Sequence, residues 1–582
     1  MRLTLAVASL LAATSVPALA QTIYPIDRAQ ILAGSRFDLK VEFPGLADPA
    51  KVSVTVNGVD HAQALGKAAT FTAREDDKDQ SAVVLRDVVI GKPGRYVVKA
   101  TDGTATREVA WEVYDTPGGR KAKNVILFVG DGMSNAHRVA ARVLSRGISE
   151  GKYKGKLTLD EMTQTALVGT SGVDSLITDS ANSASAYTTG HKSSTNALGV
   201  YADRTASTTD DPKVETITSL VKRHAGMAVG IVTDTEIEDA TPASMIAHTR
   251  RRSDYDVIVQ QMFDIKPDVI LGGGAANFIP KSVAGSKRGD EQDFVAKFKD
   301  AGYTIATTAT EMKAASGSSK LLGLFNLGNM DGALDRKFLK VGTVKRFPDQ
   351  PDLTDQVKVA IDILSKNPNG FVLMVEAGMI DKFTHALDMD RAMWDTIMLD
   401  NAVRVAKDFA DKSNDTLVMV LADHTHPVGI VGVMNDDMSG PAPTGPLRDK
   451  VGTYNLAGYP NYPAPDAEGY PNKVDVSRRI AMFSASIPDY WETFRPKLDG
   501  PNRPTVAGKE RGTFEANEVY ASSPGAMLRV GNVPKSVNSD VHSAEDSLLN
   551  AHGPGSDMVK GFMDNTDVFK VMVNALGLAR TQ

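Results

Sequence analysis

The sequence predicts an α/β protein with a doubly wound, mainly parallel sheet and helices on both faces, preceded by a small all-β sandwich. Three observations predict it. Beyond residue 121, short apolar runs alternate with helical patterns, the rhythm of a parallel sheet wound with crossover helices. Before residue 115 the alternation has period two and is broken by Gly and Pro turns, as in an antiparallel sandwich. Three of the apolar runs end in carboxylates, at the edge where open α/β sheets bind their ligands.

The chain opens with Arg2, an apolar stretch through Leu11 and Ala13, and Ala18-Leu19-Ala20 before Gln21. Residues 1–20 therefore read as a secretory signal peptide, too short and wrongly flanked for an anchor. With that segment removed, 64 basic residues stand against 71 acidic ones. A mildly acidic chain without a basic run makes nucleic acid a poor candidate for a specific partner. No other stretch approaches the ~18 apolar residues of a spanning helix, so a soluble periplasmic or secreted protein is expected. There is no cysteine. Disulfides and thiolate ligands are excluded, and any metal is left to carboxylate, imidazole, hydroxyl or carbonyl groups.

The sandwich is expected over 21–115, from the alternating runs 37–43, 52–56 and 96–100 and turns such as Gly91-Lys92-Pro93-Gly94. Thr116-Pro117-Gly118-Gly119 reads as the linker to a second domain over 121–582. In that domain strands are expected at 124–129, 227–233, 267–272, 371–376 and 416–422, and helices at 213–225, 241–250, 353–366 and 389–411. Between about 430 and 540 the rhythm fails. That stretch, rich in Pro, Gly, Tyr and Asn, reads as an insertion over the sheet edge with no catalytic part.

The densest chemistry follows the run Phe371 to Val375. Glu376 stands at its carboxyl end, and Asp381 and His385 are four apart, on one face of the helix that follows. Asn124 to Val129 ends in Gly130-Asp131-Gly132, and Thr416 to Leu421 in Ala422-Asp423-His424-Thr425-His426. The small-residue run Ile177 to Ala186 opens a helix with Ser180 in its first turn, where free N–H groups suit an alkoxide or a phosphate. Asp239-Ala240-Thr241-Pro242 opens another helix, with His248 and Arg250-Arg251-Arg252 expected further along it.

Taken together, Gly130-Asp131-Gly132-Met133, Thr178-Asp179-Ser180-Ala181, Asp239 to Ala243, Val375-Glu376 with Asp381, Lys382 and His385, Ala422-Asp423-His424, and His542 ahead of Gly553-Pro554-Gly555 resemble the alkaline phosphatase family, the metal-dependent kind with a serine nucleophile. The resemblance covers about 121–430 and 540–580. It implies one zinc ion held by Asp381, His385 and His542, a second held by Asp131, Asp423 and His424, and a magnesium ion held by Asp131, Thr241 and Glu376. It further implies Ser180 as nucleophile, Arg252 as the phosphate clamp oriented by Asp179, and Asp239 and Lys382 beside it. Ser543-Ala544-Glu545 departs from the Thr-Gly more common after the last histidine, which leaves His552 as an alternative to His542. His426 has no role to transfer, and His61, His137, His191 and His224 read as ordinary.

The activity implied is hydrolysis of small phosphate monoesters through a phosphoserine, by a protein compatible with a homodimer. A phosphodiesterase on the same scaffold and an exported binding protein with a degenerate site are the competing readings. A sulfatase is disfavoured because Ser180 lies in no Cys/Ser-x-Pro-x-Arg frame.

Overall fold

The computed structural model describes residues 21–438 and 447–580. The signal peptide expected over 1–20 lies outside them. The chain divides into two compact units, one running to Tyr114 and including Arg204–Ala206, the other made of Asp115–Asp203 and Ser207–Arg580.

The first unit holds two sheets. One contains Thr22–Tyr24, Arg36–Phe43, Thr70–Thr72 and Ser81–Val89; the other contains Gln30–Leu32, Ser53–Val56, Val59–Asp60, Gly94–Thr101 and Thr106–Tyr114. Phe37 from one sheet meets Trp111 from the other edge to face at 5.5 Å, a favoured aromatic geometry between facing layers. The pairing is antiparallel except where Gln30–Leu32 runs parallel to Glu112–Tyr114.

The second unit is built on a ten-stranded sheet. Its strands are β1 (Asn124–Gly130), β2 (Gln164–Gly169), β3 (Ala228–Glu236), β4 (Val269–Gly273), β5 (Thr304–Ala306), β6 (Leu321–Leu324), β7 (Phe371–Ala377), β8 (Thr416–Leu421), β9 (Ser547–His552) and β10 (Gly561–Asp564). Their spatial order is β5-β6-β4-β3-β7-β1-β8-β9-β2-β10. Only β9 runs against its neighbours. Every residue of β1, β7 and β8 is buried, which is why these segments read as unbroken apolar runs.

Ile126, Phe128, Leu373, Val375, Val418 and Val420 share one core with α1 (Asn135–Arg146), α4 (Leu353–Leu364) and α6 (Met389–Ser413). Three short helices bring side chains to the sheet edge. They are α2 (Ser180–Thr189), α3 (Ala240–Ala243) and α5 (Met379–His385). A terminal helix, α7 (Asn565–Leu576), packs against α2 and β1.

Two expectations change. The helix expected over 241–250 ends at Ala243; the chain turns through 244–246 and is then bonded elsewhere, with Thr249 bridging Leu198 and the Arg252 amide donating to the Asn196 carbonyl at 2.8 Å. Arg252 therefore stands on a loop rather than on that helix. The region expected as an irregular insertion contains a small sheet of Val428–Asn435, Val451–Gly452 and Arg478–Ser484. It also carries residues that touch the site described next.

Candidate metal and phosphate site

Register delivers the carboxylates to one level. Val129 of β1 pairs with Glu376 of β7 on one side and with Leu421 of β8 on the other, so Asp131, Glu376 and Asp423 leave three adjacent strands at the same edge. The turn after β1 requires glycine. Gly132 has φ +65°, and a Cβ there would lie 2.6 Å from His426 and 2.9 Å from Asp381 Oδ1.

Ser180 is the first residue of α2, and Asp179 caps that helix by accepting from the Asn182 amide at 3.1 Å. Ser180 Oγ lies 3.2 Å from His424 Nε2. The same nitrogen is 3.2 Å from Asp131 Oδ1 and 3.3 Å from Asp423 Oδ2, so one imidazole nitrogen faces three oxygens. Burial, reinforced by Asp381 and Asp423, pushes the Asp131 carboxyl well above the usual range. Burial likewise holds the His424 imidazolium well below its ordinary value.

The second cluster is richer in histidine. His385 Nδ1 donates to the Asp540 carbonyl at 2.7 Å, and His542 Nδ1 to the Thr178 carbonyl at 2.8 Å. A carbonyl only accepts, so in each neutral ring the lone pair is on Nε2. Those two Nε2 atoms nevertheless face each other at 3.1 Å, with Asp381 Oδ1 3.3 Å from the first and 3.5 Å from the second. Two lone pairs and a carboxylate oxygen converging in this way call for a cation.

Around the serine, Arg252 is held between two carboxylates, donating to Asp179 Oδ2 at 3.3 Å and Asp239 Oδ1 at 2.8 Å. Lys382 Nζ meets Asp239 Oδ2 at 3.0 Å and Asp381 Oδ2 at 3.5 Å. Burial alone would raise the Asp239 carboxyl, but Lys382 and Arg252 hold it far below the carboxylate range. Two cations and three acids thus form a preorganised polar wall next to Ser180.

Glu376 completes the edge. Its Oε2 accepts from Thr233 Oγ1 and, at 2.9 Å, from Thr235 Oγ1. Burial drives its carboxyl up to about 7, and its charge acts in turn on Asp131. Thr241, the second residue of α3, is buried.

The donor set fits cations at both clusters. Ligand-type atoms of Asp381, His385, His542 and the neighbouring His426 lie within 4.8 Å of one another, and so do those of Asp131, Asp381 and His424. Asp131 Oδ1 and Asp423 Oδ2 are buried without a hydrogen-bond donor, and stacking carboxylates in a dry pocket is costly unless a cation neutralises them. Nitrogen and oxygen ligands of this kind suit zinc where histidine takes part and magnesium where only oxygen does.

The profile of the alkaline phosphatase family matches residues 122–578. The chain belongs to the alkaline phosphatase family. Phosphomonoester hydrolysis is the activity that membership carries. Alkaline phosphatase H of Pseudomonas aeruginosa (strain UCBPP-PA14) is 34% identical over 401 residues, 62% of this chain and 80% of its own length. The alkaline phosphatase of Escherichia coli (strain K12) is 34% identical over 384 residues, covering 60% and 79%. Among solved structures, Thermus thermophilus alkaline phosphatase superposes with TM-score 0.56 at 25% identity, over 80% of this chain and 93% of the other. The alkaline phosphatase of the Antarctic bacterium TAB5, at TM-score 0.54 and 21% identity over 79% and 98%, shares the fold.

The thirteen residues singled out in the sequence all stand at this edge or in the elements that open onto it. His552, the alternative to His542, instead pairs with Asp411 at 2.6 Å, on the strand that runs beside β8. Sequence reading missed His426 and Asp540. His426 donates to Asp381 Oδ1 at 2.7 Å and to Asp540 Oδ2 at 3.0 Å. Burial opposes its charge, but the two carboxylates raise it to about 9. Both its nitrogens are committed, so it orients Asp381 rather than offering a lone pair. The His-x-His spacing at 424 and 426, whose rings lie 6.0 Å apart, is the available signal. Asp540 had none. It belongs to the 430–540 region and is fixed there by Ser484 Oγ at 2.8 Å and by Ser486 Oγ.

Proposed function

We propose that this chain hydrolyses phosphate monoesters by two phosphoryl transfers, with Ser180 as the intermediate carrier. The main support is Ser180 Oγ at 3.2 Å from the His424 nitrogen that also faces Asp131 and Asp423. Asp381, His385 and His542 would hold one zinc ion, Asp131, Asp423 and His424 a second, and Asp131, Thr241 and Glu376 a magnesium ion. Bound there, such ions act as Lewis acids that stabilise oxyanions and acidify coordinated hydroxyl groups.

The chain's own groups do the rest. Arg252 receives the phosphoryl oxygens through charge-assisted hydrogen bonds, and Asp179 and Asp239 keep the guanidinium from swinging away. The amino end of α2 adds its positive dipole at the point where negative charge gathers. In the first transfer the Ser180 Oγ–P bond forms as the ester P–O bond breaks, and the alcohol leaves. In the second, water attacks the same phosphorus, the Ser180–phosphate bond breaks, and inorganic phosphate departs with Ser180 restored.

Export to the periplasm or the medium after cleavage before Gln21, and assembly as a homodimer, complete the proposal. Among the described residues no helix is long and apolar enough to cross a membrane. The decisive test is to trap the phosphoenzyme with a chromogenic monoester and map it, expecting the label on the peptide containing Ser180. Chelation should abolish turnover, and zinc with magnesium should restore it. A labelled peptide elsewhere, or full turnover in metal-free protein, would overturn this reading. The amino-terminal mass of the recovered protein and its sedimentation test export and assembly separately.

A further inference from the structure

The tripeptide Thr233-Asp234-Thr235 at the end of β3 touches both halves of the site, and nothing in the chemistry above uses its central residue. Side chains alternate along a strand. Thr233 and Thr235 face Glu376 and donate to its Oε2, and Asp234 points the other way. There Asp234 Oδ1 accepts from the amides of Gly378 at 2.7 Å and Met379 at 3.2 Å. These are the first amides of α5, the helix that carries Asp381 and His385.

A helix start normally caps itself with a Ser, Thr, Asp or Asn side chain. This one has none, because its N-cap is Gly378. Glycine is imposed by crowding, since a Cβ at 378 would lie 2.5 Å from Thr235 Cγ2 and 3.0 Å from Glu376 Cδ. The cap therefore has to come from another strand. β3 supplies it where its register with β4 shifts between Val232 and Glu236, a bulge of the kind that re-aims side chains next to sites. Asp234 is itself buried and anchored, its carbonyl accepting from the Met330 amide at 3.0 Å.

We infer that Asp234 is a positioning residue that sets the first turn of α5, so that Asp381 and His385 converge with His542, while Thr233 and Thr235 set Glu376 from the opposite face of the same tripeptide. The inference rests on the metal roles proposed above. Asp381 lies three residues past the capped glycine, so a tilt or fraying of that first turn displaces both of the helix's ligands together.

The experiment is equilibrium dialysis of full-length protein against zinc alone and magnesium alone, with circular dichroism to confirm folding. Asp234→Ala should weaken zinc binding by roughly 10 to 100-fold, the usual effect of losing a group that orients a ligand. Asp234→Asn keeps an acceptor oxygen in place and should bind zinc like wild type, a rescue that a charge requirement would not allow. Thr235→Val should weaken magnesium and leave zinc unchanged. Should Asp234→Ala not fold, Asp234→Ser, whose oxygen is too short to reach both amides, is read in its place. Wild-type zinc affinity in the variant lacking the cap, or equal weakening by Asp234→Asn, would overturn the inference. Wild-type protein that binds no zinc would instead overturn the metal roles themselves.

Discussion

The two halves of the site are built by different means. Asp131, Glu376, Asp423 and His424 leave the ends of central buried strands whose registers fix them relative to one another. Asp381, His385 and His542 depend on a seven-residue helix and on the chain returning after the 430–540 region. The first half needs only the sheet. The second is held by contacts that arrive from elsewhere: Asp540 to His426 and His385, Thr178 to His542, Asp234 to the helix start. An oxygen-rich site can be made by strand topology alone, whereas convergent imidazoles each need a partner that fixes the ring and its tautomer.

The largest effect should come from the serine on the strand-built side. Ser180→Ala is expected to cut monoester turnover by roughly three orders of magnitude or more, the scale on which losing a nucleophile is felt. Zinc and magnesium content should stay near wild type, because the side chain is small and every proposed ligand remains. Stopped-flow kinetics with metal analysis checks both, and metal loss equal to activity loss would mean that Ser180 is structural.

Arg252→Ala comes next. Removing charge-assisted hydrogen bonds should cost monoester turnover about 1.5 to 3 kcal/mol, and cost a phosphodiester less because it presents less charge to the guanidinium. Comparing kcat/KM for the two substrate types decides the matter. Equal losses would take Arg252 off the phosphoryl oxygens.

Asp540→Ala is aimed at the other half. The substitution leaves His426 with one carboxylate instead of two, and Asp381 with a looser partner. Zinc affinity should fall by about tenfold, while magnesium binding, far from Asp540 in the scheme of contacts, should not move. A parallel loss of both ions would show that the two halves are not separable.

This contrast also explains what could be read from sequence. The strands were legible because a buried parallel strand must be apolar throughout, and the carboxylates were legible because they stand immediately after such runs. Asp381 and His385 were legible by helical spacing. Arg252 was found by motif, but the helix thought to carry it stops at Ala243, since backbone bonding to Asn196 and Leu198 outweighs local propensity. Asp540, Asp234 and the lasting pairing of His426 were not legible. Asp540 meets His426 across 114 residues, Asp234 meets Gly378 across 144 and His426 meets Asp381 across 45, and no local pattern encodes which distant carboxylate an imidazole or a helix start will meet.

The smallest effect on the site itself concerns two histidines that stand behind the halves rather than in them. His137 Nε2 meets Thr384 Oγ1 of α5 at 3.0 Å, and its Nδ1 accepts from the Ser134 amide at 3.1 Å. His191, just past α2, bonds the Tyr201 hydroxyl at 2.9 Å. Burial lowers the first to about 3 and the second to about 4, against about 6.5 in the unfolded chain. The unfolded state then binds protons that the folded state refuses. Stability is therefore full above pH ~6.5 and declines as the pH falls toward the folded values, by at most about 1.4 kcal/mol per pH unit for each ring. His191→Gln, which keeps a polar group but cannot titrate, should flatten the part of this decline between pH ~6.5 and 4 and leave neutral-pH stability less affected. Denaturant melts of wild type and variant across that range measure the slope. An unchanged slope would mean that His191 is protonated in the folded protein after all, and that the polar surroundings of α2 carry more charge than its contacts suggest.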